Sequence, residues 1–547
     1  MSRTILIIGM LAMAYASFVY YPKWKLTHTE ATISWDVSGY YLYLPAIFIY
    51  HDLKELQFKP RLDSLYFPSS SPYQAYTHRS GNQVMKYTCG LAILYSPFFL
   101  LAHGIALVSG QVADGYSRIY QFFISFGSLV YAFIGLIFFR KLLLRYFTDE
   151  LTAVALAILI FASNYFDYAS ITGAMSHNYL FTFYAVLLIC IDNLYKTDDR
   201  KWFYFICFII GLMALIRPTE IISKILLLGW NVDSWESLKN RIQYYFKQIP
   251  MLLWGIIFFS ICPLLQIIYW KYVTGEWLVY SYQGFGFSWF EGHHILQGLY
   301  SYRAGWLVYT PVMILCLIGL VYLWIIKYAQ RWPLTLFVLA SLYLTFAWDE
   351  WTYGGSLGQR ALIEHYPVMI FCMMPFLNKF YPNIIFRNIL FLFIGGCIYY
   401  NLWLTHQAHK GGIFEAGMMN KAYFWHTLFK NENDLESKKL LDTNEPMLDF
   451  EQATAKLEID TSFTSDSFRC VQNERAITMY QGLLPKGKIK IKALIQSGEK
   501  EWDIWRMAQL IVQYRAGDKD VKTVFIRVHR FLNSKEEKWL DLVTQNP

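Results

Sequence analysis

Three segments of this chain carry side chains suited to moving a charged group. One is Trp35-Asp36-Val37-Ser38-Gly39-Tyr40-Tyr41, where a lone carboxylate is followed by tyrosines just beyond the first apolar stretch. The second is Arg217-Pro218-Thr219-Glu220, which interrupts another apolar run. The third runs from Trp348-Asp349-Glu350-Trp351 through Gly354, Gly355 and Gly358 to Gln359-Arg360. Its glycines permit positive φ and close backbone approach, and its arginine has the fork geometry for bidentate bonds to a phosphate. A carboxylate such as Asp36 accepts a proton from a hydroxyl nucleophile, and fixed cations stabilise a phosphate on which charge develops. Lys86 and Arg303 add two cations, and His177 and Glu364 are titratable groups in apolar surroundings.

Each of these also has an ordinary reading. Trp and Tyr form belts at any membrane surface, and single Arg or Lys side chains near helix ends snorkel to headgroups. His177 would serve equally as a helix cap, and Asp167 and Asp349 as hydrated loop acids. His293 and His294 are adjacent, but no third ligand is spaced to form a metal site. Arg217 stands apart, because a cation after a long apolar run, next to a helix-breaking proline, is costly unless used.

The elements that must position these groups are membrane helices. The chain has 547 residues, 55% hydrophobic and 19% aromatic, with 16% charged, against roughly 25% charged in soluble domains. Nearly charge-free runs recur at Ile119–Phe139, Leu151–Phe166, Trp202–Ile216, Met251–Trp270, Ala304–Ile326 and Pro333–Trp348. Most are near the roughly 20 residues that span a hydrocarbon core. The N-terminal apolar run Ile5–Tyr21 lacks a small-x-small cleavage site and reads as a retained first helix. Seven of eight cysteines lie in apolar stretches, the exception being Cys470, so neither a disulfide framework nor a metal pattern is expected. The net charge of +8 includes no dense basic patch, which suits contact with membrane lipids and argues against nucleic acid.

Short basic loops at 140–145, 196–201, 237–247, 327–331 and 379–387 orient the helices, since Lys and Arg favour the cytoplasmic side. All five share that side if Tyr87–Val108 lies at the interface instead of crossing. About eleven crossings then follow, with the 202–230 stretch broken at Arg217-Pro218 into two short helices meeting at the outer surface. The predicted architecture is therefore an α-helical polytopic membrane protein with interfacial helices. After about His406 the composition becomes charged, with alternating runs at 455–460, 488–492 and 524–529 that read as strands. We expect a transmembrane domain over 1–405, a linker over 406–440 and an extracytoplasmic β-sandwich over 441–547, in which Trp502, Trp505 and Trp539 could stack on sugars.

Over roughly residues 1–405 the segments resemble the polytopic GT-C glycosyltransferases that use polyprenyl-phosphate sugars, a group including protein O-mannosyltransferases and lipid A aminoarabinose transferases. The resemblance rests on Asp36 in the first external loop, the Tyr-rich sequence after it, and a membrane-surface helix beginning near Lys86. It also rests on Gly211-Leu-Met-Ala-Leu-Ile-Arg217-Pro-Thr219, on Arg303-Ala-Gly-Trp-Leu-Val-Tyr-Thr-Pro311, and on Trp351-x-x-Gly-Gly-Ser-x-Gly-Gln-Arg360, the last two similar to a bacterial branch. It implies an inverting transferase of the plasma membrane, of hexosyl or mannosyl type, that takes a sugar which the resemblance does not identify from a polyprenyl-phosphate donor to a glycan, lipid or protein acceptor. Asp36 would be the general base. Lys86, Arg217, Arg303 and Arg360 would bind the donor phosphate, with Tyr40, Tyr41, His177, Glu220, Trp351 and Glu364 in support. Many relatives carry paired acids where this chain has Asp36-Val37, and an acid where it has His177, so no cofactor is predicted to be required and dependence on a divalent metal stays open. The alternative reading is a transporter or flippase of a lipid-linked saccharide; repeated halves, common in transporters, are not evident.

Overall fold

The computed structural model describes residues 1–289, 293–432, 437–438, 440–441, 488–496, 509–517, 519–527 and 537–545. The chain divides into two compact units, Met1–Met419 and Asn420–Pro547. The first unit thus continues beyond the boundary expected at residue 405.

In that unit, α1 (Ser2–Tyr15) runs into a π turn at Ala16–Tyr20 and is followed by three short helices, α2 (Trp35–Tyr41), α3 (Tyr43–Phe48) and α4 (Lys59–Tyr66). A small antiparallel hairpin, β1 (Ala75–Thr77) and β2 (Gln83–Met85), leads to α5 (Gly90–Ser109) and α6 (Arg118–Leu143). Then come α7 (Asp149–Phe161), α8 (Tyr165–Ala169), α9 (Ser176–Thr197) and α10 (Arg200–Ile216). At Arg217 the backbone turns extended ahead of Pro218, as expected of a residue before proline, and a 3₁₀ turn over Pro218–Ser223 feeds α11 (Lys224–Gly229). The next elements are α12 (Trp235–Lys247), α13 (Ile249–Thr274), α14 (Ile295–Tyr300), α15 (Trp306–Tyr309), α16 (Ile314–Ile325) and α17 (Arg331–Ala347). A 3₁₀ turn at Arg360–His365 opens α18 (Tyr366–Phe380), and α19 (Ile384–His406) ends in a second π turn, Gln407–Gly411.

Among the described residues, seven helical segments are long and apolar enough to cross a membrane: Ser2–Lys25, Gly90–Ser109, Arg118–Leu143, Ser176–Thr197, Ile249–Thr274, Arg360–Phe380 and Ile384–Gly411. This is a multi-pass helical membrane protein. Burial sorts the seven: 89% of the Arg360–Phe380 window is enclosed, against 22% for Ile249–Thr274, so α18 is central and α13 peripheral.

Contacts at helix ends show which ends lie together. The N-terminus meets Asp149, and Arg140 Nε donates to Ser2 Oγ at 2.7 Å, so α1 starts where α6 finishes and α7 starts. At the other end, Arg118 reaches the Lys25 carbonyl at 3.5 Å. The chain between Lys25 and Arg118 therefore leaves and returns at one end of the bundle. Both termini of α5 are held there by α2 and α3: the Tyr43 hydroxyl donates to the Tyr87 carbonyl at 2.7 Å, and the Tyr41 hydroxyl to Gly115 at 2.5 Å. Although α5 is long enough to span, its two ends sit among the same short helices. The same logic places the starts of α9 and α18 and the end of α10 at the α2 end, and the Arg145–Asp192 pair at the other.

In the second unit the described residues form α20 (Lys421–Thr427) and two antiparallel pairs. Strand β3 (Lys488–Gln496) pairs with β6 (Glu537–Gln545), and β4 (Gln509–Ala516) with β5 (Lys519–Arg527). The predicted run 488–492 lies in β3, and most of 524–529 in β5; run 455–460, Trp502, Trp505 and Cys470 lie outside the described residues. Trp539 is on β6 and exposed.

Candidate functional site

The loop after α1 is pinned to α6: the Ile33 amide donates to Gln121 at 2.7 Å, and Thr32 meets Ser125 at 2.7 Å. Trp35 then adopts φ 48°, a left-handed conformation unusual for a bulky residue and the kind of strain found beside functional groups. It aims the next residue, Asp36, inward. Asp36 Oδ1 accepts from the Tyr73 hydroxyl at 2.9 Å and the Tyr87 hydroxyl at 2.7 Å, and Oδ2 accepts from Arg360 Nη2 at 2.6 Å. Both charged side chains stay partly accessible, 22% for Asp36 and 18% for Arg360. Burial pushes the Asp36 carboxyl up, but Arg360, the two hydroxyls and Lys86 outweigh it and hold the group below the usual carboxylate range.

Tyr73 and Tyr87 flank the β1–β2 hairpin, which closes with the Lys86 amide on the Gln74 carbonyl at 2.8 Å. Between them, the Lys86 ammonium lies 5.0–5.7 Å from the ring centres of Tyr73, Phe285, Tyr282 and Tyr87, within cation–π range. Burial lowers its pKa and Asp36 opposes that. Gly39 is required here because a Cβ would collide with the Tyr87 ring.

A second, deeper layer adjoins the first. Arg217 Nη1 donates to Glu364 Oε1 at 2.7 Å, and its guanidinium lies 5.9 Å from the Tyr353 ring centre. Glu364 Oε2 meets His177 Nδ1 at 2.9 Å. Glu220 Oε2 takes the Tyr184 hydroxyl at 2.6 Å and His365 Nε2 at 3.0 Å, while Oε1 takes the Thr219 hydroxyl at 3.0 Å. Tyr40 bridges the layers. Its ring centre lies 4.4 Å from that of Tyr87, the rings tilted by 33°; burial and then Asp36 push its phenol up to about 12, with Arg217 and Arg360 opposing.

The structure thus gathers Asp36, Lys86, Arg217, Arg360, Tyr40, His177, Glu220 and Glu364. It does not bring in the other three residues expected in the site. Tyr41, one helical step from Tyr40, points to Gly115 and the rings of Tyr95, Phe99 and Tyr116. Arg303 is exposed, although the neighbouring Ala304 carbonyl takes Gln359 Nε2 at 2.9 Å. Trp351 stacks on His294 at 5.7 Å. Glu220 holds His365 and Tyr184, and Arg360 is bonded to Asp36 itself. Asp167 is buried, not hydrated, with Oδ1 on His409 Nε2 at 2.6 Å; Asp349 receives the Gly286 amide at 2.6 Å.

Sequence reading missed Tyr73, Tyr87, Tyr282, Tyr353, Tyr184 and His365. Only His365 had a signal, a Glu-His pair entering an otherwise apolar helix. Glu220, Glu364 and His365 offer ligand atoms within 4.8 Å of one another and are the group among the described residues able to surround a metal ion. Arg217 already occupies Glu364 and competes electrostatically with a second cation. The whole arrangement suits an anion held by Arg360, Arg217 and Lys86 beside a carboxylate able to accept a proton.

No family model matches the chain, and no curated protein does. Among solved structures, it is similar to the apo oligosaccharyltransferase of Archaeoglobus fulgidus, with TM-score 0.44 and 10% identity over 80% of this chain. The alignment spans 59% of that protein's length, and the score is too low to establish a shared fold.

Proposed function

We propose that the chain is an inverting glycosyltransferase of the plasma membrane that moves a hexose from a polyprenyl-phosphate carrier to an acceptor hydroxyl on the extracytoplasmic side. One juxtaposition carries the reading: a partly accessible carboxylate bonded to Arg360, with Lys86 and Arg217 alongside, at one end of a membrane helix bundle.

In this scheme the acceptor hydroxyl bonds to Asp36 and attacks the anomeric carbon from the face opposite the phosphate. The new glycosidic bond forms as the bond from the anomeric carbon to the phosphate oxygen breaks. The hydroxyl proton passes to Asp36, and the electron pair leaves with the polyprenyl phosphate. Positioned base catalysis contributes about 10²–10⁴-fold, and preorganised cations facing the departing phosphate supply the larger electrostatic share. A single displacement inverts the anomeric centre, so no nucleophilic side chain is needed. Arg360 belongs to both halves of the scheme. Asp36 uses its Nη2, while its Nε is buried without a partner among the described residues. A donor phosphate on Arg360 would offset the charge that depresses Asp36, so donor binding would make the base stronger. Glu364 and His177 keep Arg217 in place.

The test is transfer from a radiolabelled polyprenyl-phosphate hexose in proteoliposomes. Wild type should release free polyprenyl phosphate and glycosylate an acceptor, and Asp36→Asn should do neither while remaining folded. Label that crosses the bilayer with its sugar–phosphate bond intact would instead establish the transporter reading.

A further inference from the structure

We propose that the end of the bundle opposite Asp36 holds a binding site for the phosphate headgroup of an anionic phospholipid. The site lies where α9 ends and α10 begins, under α12. The 22 residues of α9 separate it from the Asp36 layer by about 33 Å at 1.5 Å per residue.

A cleft of about 210 Å³ opens there, bordered by Arg200, Arg241, Tyr195, Tyr244, Tyr245 and Phe203. The half-buried Arg241 lies 4.1 Å from the Tyr195 ring centre and gives Nη1 to the Trp230 carbonyl at 3.1 Å. Arg200 gives Nη2 to Gln248 Oε1 at 3.1 Å. No ion pair to a carboxylate is formed by either arginine among the described residues. Asp198, also lining the cleft, faces the Tyr244 hydroxyl at 3.5 Å, and Asp199 at the start of α10 pairs with Lys201 at 2.7 Å. Two guanidinium groups with unused N–H donors, beside tyrosine hydroxyls, match the oxygens of a phosphodiester.

The surroundings say which phosphate. Phe203, Leu194 and Met251 give the cleft an apolar floor, which a free inorganic ion would not use. Helix α12 exposes Trp235, Ile242 and Phe246 alongside the basic Lys239 and Lys247, the composition of a helix lying in a membrane interface. From the same corner α13 leaves with Leu253, Trp254, Ile256 and Ile257 exposed, a lane for acyl chains. Headgroup and tails are thus accommodated together.

Native mass spectrometry of the full chain in detergent, titrated with phosphatidylglycerol, phosphatidylcholine or inorganic phosphate, tests the assignment. Phosphatidylglycerol adducts should survive activation that strips phosphatidylcholine. Arg200→Gln with Arg241→Gln should weaken retention about tenfold, the size of one lost charge-assisted contact. Lys379→Gln, exposed at the end of α18 and outside the cleft, should leave it unchanged. Equal retention of the two lipids, full retention by the double variant, or displacement of phosphatidylglycerol by inorganic phosphate would each overturn the proposal. If the double variant does not fold, Arg200→Gln alone, at an exposed position, decides by the same comparison.

Discussion

The two layers of the site each contain an arginine–carboxylate pair of nearly equal length, 2.6 Å for Arg360–Asp36 and 2.7 Å for Arg217–Glu364, yet the acids differ in exposure, 22% against 1%. The outer acid keeps a path to solvent and to substrate. The inner one is sealed among His177, Glu220, Tyr184 and His365. Under the proposed function, similar chemistry at different depth does different work: the outer pair reacts, and the inner one fixes a cation in position. A buried pair of this kind is weak evidence of stabilisation but strongly resists the loss of one member.

That contrast is open to attack at several points. The largest effect should come from Asp36→Asn, which keeps the shape and removes the charge: transfer should fall about 10²–10⁴-fold, far beyond the modest loss of stability expected from removing the charge that pairs with Arg360. A wild-type rate would remove Asp36 from the chemistry. Arg217→Met should instead act on folding, costing about 3–5 kcal/mol because it strands a buried carboxylate. Adding Glu364→Met should restore part of that loss, and if the double variant is less stable than the single one, the sealed-pair reading fails. Gly39→Ala should displace the Tyr87 ring from Asp36 and slow transfer by roughly one hydrogen bond's worth, about fivefold; unaltered kinetics would make that hydroxyl dispensable.

The smallest effects should appear in pH dependence. The Asp36 carboxyl is held below its ordinary value. Its share of stability is therefore fully present above the unfolded carboxylate pKa and is lost only as pH falls through the lower, folded value. Transfer should show no Asp36-dependent change between about pH 5 and 7. Lys86 moves the opposite limb: its pKa is lowered by burial, so it sheds its charge before an ordinary lysine does. Lys86→Arg should extend donor affinity to higher pH. Coincident alkaline limbs for wild type and Lys86→Arg would show that this ammonium does not hold the donor.

Asp36, Lys86, Arg217 and Arg360 were legible in the sequence because a charge in apolar context demands a reason. The proline after Arg217 likewise announced the break in the helix. Tyrosine offers no such contrast: with 42 in the chain, nothing distinguished Tyr73 and Tyr87 from interfacial belt residues. Tyr40 and Tyr41 show a second limit. One helical step is about 100°, so adjacent tyrosines on α2 face different neighbours, and only the fold shows which of them meets Asp36. The apolar run at α5 fixed a helix of spanning length but not its direction, which depends on tertiary ties at its two ends. Arg303 looked equivalent to Arg360 by type and by glycine neighbours, yet it ends in solvent.

The hairpin between Tyr73 and Tyr87 is anchored far from the acid as well, through Arg79 Nε on Glu276 at 2.7 Å and Asn82 on the Val273 carbonyl at 2.6 Å. Both hydroxyl donors to Asp36 Oδ1 consequently ride on a single lever whose far end is clamped by the last turn of α13 and the loop after it. Whatever tugs that loop retunes two bonds simultaneously, so the acid's strength is set by a mechanical linkage as much as by its immediate neighbours.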